Sequence, residues 1–103
     1  TLDAAMLREL GRAGAVGEIC GRYFDDRGRE CATGWRDRVI SVELAQLRRI
    51  PLTLAVVSGT DRTAALEAAI RGRLIKGLVI DEAGAEALLA SAPLKNRRAD
   101  DFR

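Results

Sequence analysis

The stretch Leu52–Glu82, LTLAVVSGTDRTAALEAAIRGRLIKGLVIDE, constrains this chain more than any other. Leu52–Val57 is a short run of apolar and β-branched residues, the pattern of a strand buried on both faces. Ser58-Gly59-Thr60 is a small-residue turn with Thr60 placed as a helix N-cap. Asp61 then opens a helix, where an acid suits the positive end of the dipole. Leu66, Ala69, Ile70 and Leu74 keep the spacing of one buried face. Gly72 and Gly77 loosen the exit, and Leu78-Val79-Ile80 reads as a second buried strand. Two buried strands joined by a helix predict a right-handed, parallel βαβ unit.

The chain has 103 residues, so it holds one domain at most. Its 48% hydrophobic and 31% charged residues are a globular composition, and a net charge of +2 singles out neither a nucleic-acid nor a membrane surface. The basic residues are nearly all Arg, which reads as coding bias. Without a histidine, any His general base or Ser-His-Asp triad is excluded, and transition-metal sites lose their usual ligand. Cys20 and Cys31 make neither a disulfide framework nor a metal site. No metal and no cofactor are expected. There is no signal peptide and no long apolar run, so a cytoplasmic location without membrane contact is the expectation. A start at Thr1 in place of Met suggests a processed or excised segment.

In chain order, Thr1–Gly11 predicts a helix with Leu2, Ala5, Met6 and Leu10 on one face and Gly11 as its stop. Ala15–Phe24, then Asp25-Asp26-Arg27-Gly28, then RECATGW predict a β-hairpin turning at Asp25–Gly28. Gly17 and Gly21 in its first arm would admit another backbone or a ligand. Glu18 is a carboxylate in an apolar segment, facing either water or a ligand. Trp35 lies in a charged loop, Gly34–Arg38, as a packing anchor. Val39–Val42 suggests a short strand, and Glu43–Arg49 a short helix with Leu44 and Leu47 inward, ended by Pro51. Ala83–Ala92 predicts a last helix with Ala85, Leu88, Leu89 and Ala92 on one face, stopped by Pro93 before a polar tail. The whole is an α/β layer structure with few parallel strands, which points to part of a larger domain.

Ligands of open α/β sheets gather beyond the carboxyl ends of the strands. Two loops sit there: Ser58–Arg62 and Asp81-Glu82. The first offers backbone N–H groups at a helix start, with Arg62 as a bidentate donor, though a purely structural turn fits the same residues. It lacks the residues of a P-loop and the spacing of a dinucleotide fingerprint. Asp81-Glu82 reads as an N-cap followed by a first-turn acid.

Taken together, GAVGEICGRYFDDRG, RVISVELAQLRRIP and LAVVSGTDRTAALEAAIRGRLIKGLVIDEAGAEALL resemble the C-terminal half of the sugar-binding domain of SorC/DeoR-type bacterial transcriptional regulators, over Gly14 to about Ala90. The resemblance implies a three-layer α/β/α fold with a mainly parallel sheet, similar to sugar-phosphate isomerases and CoA transferases, here as a partial domain. It implies an effector-sensing segment that binds a phosphorylated sugar or related metabolite. Operator DNA would be gripped by a helix-turn-helix domain that this chain lacks, in a homo-oligomer. An acid in the family's VG(D/E) motif and a base in its GGxxK motif contact effector. Here these are Glu18 in Val16-Gly17-Glu18 and Arg62 in Ser58-Gly59-Thr60-Asp61-Arg62. The implied effector-binding residues are therefore Gly17, Glu18, Ser58, Gly59, Thr60 and Arg62. A carboxylate accepts from sugar hydroxyls and a cation holds hydroxyl or phosphate oxygens. The sequence departs from the family at Ser58, which replaces a glycine, and at Arg62, a planar fork where the family has a lysine.

Two other readings are compatible with the residues. One is an isomerase-like or CoA-transferase-like enzyme, whose base would have to be Glu18, Asp81 or Glu82. The other is an oligomerisation module without ligand, a second copy covering the sheet edge and the apolar helix faces.

Overall fold

The computed structural model describes residues 2–91. The expectations for Thr1, Ala92, Pro93 and the tail from 94 onward fall outside them. The elements are α1 (Ala4–Ala13), β1 (Gly17–Ile19), β2 (Arg22–Phe24), a 3₁₀ turn (Arg36–Arg38), α2 (Leu44–Arg49), β3 (Leu54–Val57), α3 (Thr63–Arg71), β4 (Gly77–Ile80) and α4 (Glu82–Ala90). β1 and β2 form an antiparallel hairpin, and β3 pairs with β4 in parallel, Leu54 opposite Gly77 through Val57 opposite Ile80. The βαβ unit and the α/β class are therefore as the sequence predicts.

The core lies where α3 meets the hairpin and α2. Phe24, Leu44, Ala68, Ala69 and Leu74 are buried together, ringed by Val16, Ile19, Leu47, Ala65 and Ile75. α2 starts with Glu43 N–H donating to Gln46 Oε1 at 2.8 Å, and turns Leu44 inward. α4 starts on Asp81, whose carboxylate accepts from Gly84 N–H at 2.9 Å, with Glu82 in its first turn. Trp35 anchors its loop on Tyr23, the rings meeting edge to face at 6.4 Å.

Several expectations are corrected. β3 and β4 are not buried on both faces: Leu54, Val56 and Val79 are 58, 74 and 52% exposed. The side chains of β3 alternate between exposed Leu54 and Val56 and half-buried Ala55 and Val57, and none of this strand's residues joins the core cluster. Gly11 lies inside α1, which runs on until Gly14 takes the left-handed conformation, φ 76°, and its N–H closes the last turn. The hairpin turns at Cys20-Gly21, not at Asp25–Gly28. Both residues have positive φ, 54° and 80°, as a two-residue turn of the matching twist needs. Asp25–Arg29 is a second reversal, which returns the chain as a bridge between Phe24 and Glu30.

Thr60 does not cap α3. The helix begins at Thr63 after Arg62, and the Thr63 hydroxyl donates back to the Thr60 carbonyl at 3.0 Å. Leu89 is 69% exposed, and α4 buries Gly84 and Leu88 instead. Gly72 does not loosen the exit of α3. A Cβ there would stand 2.6 Å from Gly28 Cα, so the helix end is pressed against the Asp25–Arg29 turn.

Val39–Val42 is not a strand, and Arg22 is the reason. Its buried guanidinium donates to the carbonyls of Val42 (2.8 Å), Ser41 (3.2 Å) and Val39 (3.4 Å). The carbonyls a ladder would use are thereby taken by one side chain.

Candidate functional site

A recess of about 410 Å³ opens between the hairpin, α3 and β3. Its floor is apolar: Ile19, Phe24, Leu47, Leu66, Ala69 and Leu74 all face it. Three polar residues are on its lining: Glu18, Thr53 and Arg62. The Thr53 hydroxyl is taken, donating to the Leu74 carbonyl at 2.8 Å. Glu18 is exposed on β1, and its Oε1 accepts from Gly21 N–H at 2.6 Å, which fixes the carboxylate over the hairpin turn. Its other oxygen carries no hydrogen bond among the described residues. Arg62 is exposed at the junction of the β3–α3 loop and α3, and no ion pair joins it to Glu18. The recess therefore has one acidic and one cationic residue on its lining, around an apolar floor.

Of the six residues singled out from sequence, the structure brings Glu18 and Arg62 to one recess. It does not place the other four on its lining. Gly17 sits against the Phe24 ring, where a Cβ would stand 2.4 Å from Cζ and 2.9 Å from the Ala65 methyl. It admits a core ring there, not a ligand. Ser58, Gly59 and Thr60 form the loop leading to Arg62. Gly59 N–H is occupied, donating to both oxygens of Asp81 at 3.1 and 3.3 Å.

A second recess of about 420 Å³ is polar, with Arg22, Arg29, Arg36 and Arg48 around it beside Glu30, Asp37 and Glu43. Its cations are committed to the fold. Arg22 reaches Glu30 at 3.1 Å, Arg36 lies 3.6 Å from Glu30, and Arg29 lies 3.4 Å from Asp25. Arg48 donates to the carbonyls of Gly72, at 2.8 Å, and Gly28. Nothing in the sequence marks Arg22 and Arg48 for these roles, since an arginine-rich chain does not show which guanidiniums the fold draws in.

Two groups have displaced protonation. Burial raises the Asp25 carboxyl, but N–H bonds from Arg29 and Arg27 and the Arg29 charge outweigh it and hold it below its ordinary value. Burial, then the charges of Asp25 and Glu30, pushes the Cys31 thiol up. Neither group lines the apolar recess. Among the described residues no cluster of acids and cysteines could hold a metal ion, and no helix is long and apolar enough to cross a membrane.

The "Sugar-bind" family model, a sugar-binding domain, matches residues 1–90. The chain belongs to this sugar-binding domain family. It is 37% identical over 75 residues to the deoxyribonucleoside regulator of Bacillus subtilis, which covers 73% of this chain and 24% of that protein. Among solved structures, it superposes on a DeoR family transcriptional regulator from Listeria monocytogenes with a TM-score of 0.81 and 33% identity, over 85% of this chain and 36% of that one. The full-length sorbitol operon regulator SorC from Klebsiella pneumoniae gives a TM-score of 0.74 and 29% identity, over 80% and 27%. The resemblance to SorC/DeoR-type regulators is thus shown, and the chain spans about a quarter of the length of the curated relatives it matches. The α/β fold with a parallel sheet is that of a part of their sugar-binding domains.

Proposed function

We propose that this segment forms one wall of the effector site in a sugar-responsive transcriptional regulator. The effector is a phosphorylated sugar, and operator DNA is read by a domain outside this segment. The observation that carries the reading is the convergence of Glu18 and Arg62, distant in the chain, on one recess with an apolar floor. A sugar presents hydroxyls that a carboxylate accepts and C–H faces that an apolar floor covers. Its phosphate takes a guanidinium in a bidentate fork. Gly17 lets the Phe24 ring pack against the strand that carries Glu18, and Ser58, Gly59 and Thr60 shape the approach to Arg62. The site senses and does not turn over its ligand. Among the described residues Glu18 is the single carboxylate on the recess lining, and it is engaged with the hairpin turn. We place the regulator in the cytoplasm as a homo-oligomer, with the uncovered face of β3 and β4 packed against the remainder of the domain.

The test is thermal unfolding of the intact regulator against a panel of sugar phosphates. A compound at about a hundred times its Kd stabilises the native state by about 2.7 kcal/mol. The expected result is a shift of several degrees with one compound, lost in both Glu18→Ala and Arg62→Ala. No shift with any compound would remove the effector reading and favour assembly through the apolar sheet face.

A further inference from the structure

The loop Ser58–Arg62 is held from outside itself. Asp81 accepts from Gly59 N–H with both carboxylate oxygens, at 3.1 and 3.3 Å, while its Oδ1 also accepts from Gly84 N–H at 2.9 Å as the N-cap of α4. The same junction is closed sterically. A Cβ on Gly84 would stand 2.6 Å from the Gly59 carbonyl oxygen and 2.7 Å from Asp81 Oδ1, so the first turn of α4 rests on the loop backbone. Capping needs none of this: Asp3 caps α1 by accepting from Met6 N–H at 2.9 Å. Within the loop, Arg62 enters α3 without a side-chain cap, and the Thr63 hydroxyl on the Thr60 carbonyl is the local restraint. Gly59, three residues before Arg62, is where the loop is pinned to another element.

We propose that Asp81 is the positioning residue for Arg62: it ties the β3–α3 loop to the start of α4 and so fixes where the guanidinium meets the effector. This rests on the effector reading of the recess. Asp81 does not line that recess, so it acts through the loop and not by contact.

Asp81→Asn separates the two jobs of this side chain. Asn caps a helix about as well as Asp and keeps the oxygen 3.3 Å from Gly59 N–H. Its amide NH₂ replaces the nearer oxygen, at 3.1 Å, and the charge is lost. The tie to Gly59 therefore weakens while the cap on Gly84 stays. The experiment compares the intact protein and this variant by amide hydrogen exchange at Gly59 without ligand, and by titration with the sugar-phosphate panel. Expected are faster exchange at Gly59, a Kd raised about tenfold, as for loss of a charge-assisted hydrogen bond, and a Tm close to the parent's. Gly84→Ala, whose methyl would press on both the Gly59 carbonyl and Asp81 Oδ1 while keeping the carboxylate, should also raise the Kd and serves if the first variant does not fold. Asp3→Ala should lower the Tm by loss of a cap and leave the Kd alone. Unchanged exchange at Gly59 in Asp81→Asn, or faster exchange with an unchanged Kd, would overturn the proposal. If the parent protein binds no sugar phosphate, the effector reading falls by itself. Exchange at Gly59 then decides alone whether Asp81 positions the loop.

Discussion

Asp25 stands at the second reversal of the chain, where its Oδ1 accepts from the N–H groups of Arg27 and Arg29 at 2.9 Å each. All of these favour the ionised form, and together with the Arg29 guanidinium they outweigh burial. The folded carboxyl therefore titrates below its ordinary value of 3.8, so the unfolded chain takes up the proton first. The resulting stabilisation is present above that value and is lost as pH falls through the folded one. Asp25→Asn keeps an acceptor oxygen for the turn but has no charge to lose. The expected outcome is a parent protein with the higher Tm at neutral pH, and two Tm values that converge as pH drops below 3.8. A gap that stays constant with pH would assign the difference to hydrogen-bond geometry. At this scale the sequence marks Asp25-Asp26-Arg27-Gly28 as a turn without saying which carboxylate closes it. Arg22 is less legible still. Its burial follows from the alternation of β2, which turns Arg22 and Phe24 to the same side, and that alternation appears only once the strand's limits are known.

The elements best read from sequence are those whose signals agree. In the βαβ unit, apolar strands, a helix of the right period and glycines between them all point one way, and β3, α3 and β4 follow within a few residues. The hairpin is less legible, because two reversals lie close together and Asp-Asp-Arg-Gly is the stronger turn signal. Cys20-Gly21 carries positive φ at a cysteine, which no propensity favours; Glu18, accepting from Gly21 N–H, holds the turn closed. At the join between α3 and the second reversal the sequence signal points the opposite way from the structure. Gly72 looks like a loosened end and is a contact point. Gly28 meets it backbone to backbone, Arg48 donates to both carbonyls, and Arg71 donates to the Asp26 carbonyl at 2.6 Å. Gly72→Ala should therefore destabilise by about 2 kcal/mol, the usual size of an overpacking penalty. The urea midpoint should fall with the slope unchanged. An Ala at this position that is neutral, or stabilising as in an ordinary helix C-terminus, would show that the turn can move away.

For the molecule as a whole, the open side of the β3–β4 sheet was the least legible feature. A run such as Leu54-Ala55-Val56-Val57 reads as buried on both faces because apolar residues occupy every position, and sequence alone cannot say which chain segment covers each side. Here Ala55 and Val57 are half-buried on the side toward the recess, while Leu54, Val56 and Val79 stand exposed on the other. Apolar residues at alternate positions of paired strands are the signature of a face meant for contact. If the rest of the domain covers it, Val56→Thr and Val79→Thr should behave differently in two contexts. In the isolated 103-residue chain, where the hydroxyls meet water, each change should alter stability by less than about 0.5 kcal/mol, as surface substitutions do. In the intact regulator the same hydroxyls are buried without a partner, and each should cost about 1–3 kcal/mol. Denaturant unfolding of both forms, with and without the changes, reads the contrast directly. Equal and small effects in both would mean that the face stays open in the regulator, and the segment would have to be read as a unit that meets its neighbours elsewhere.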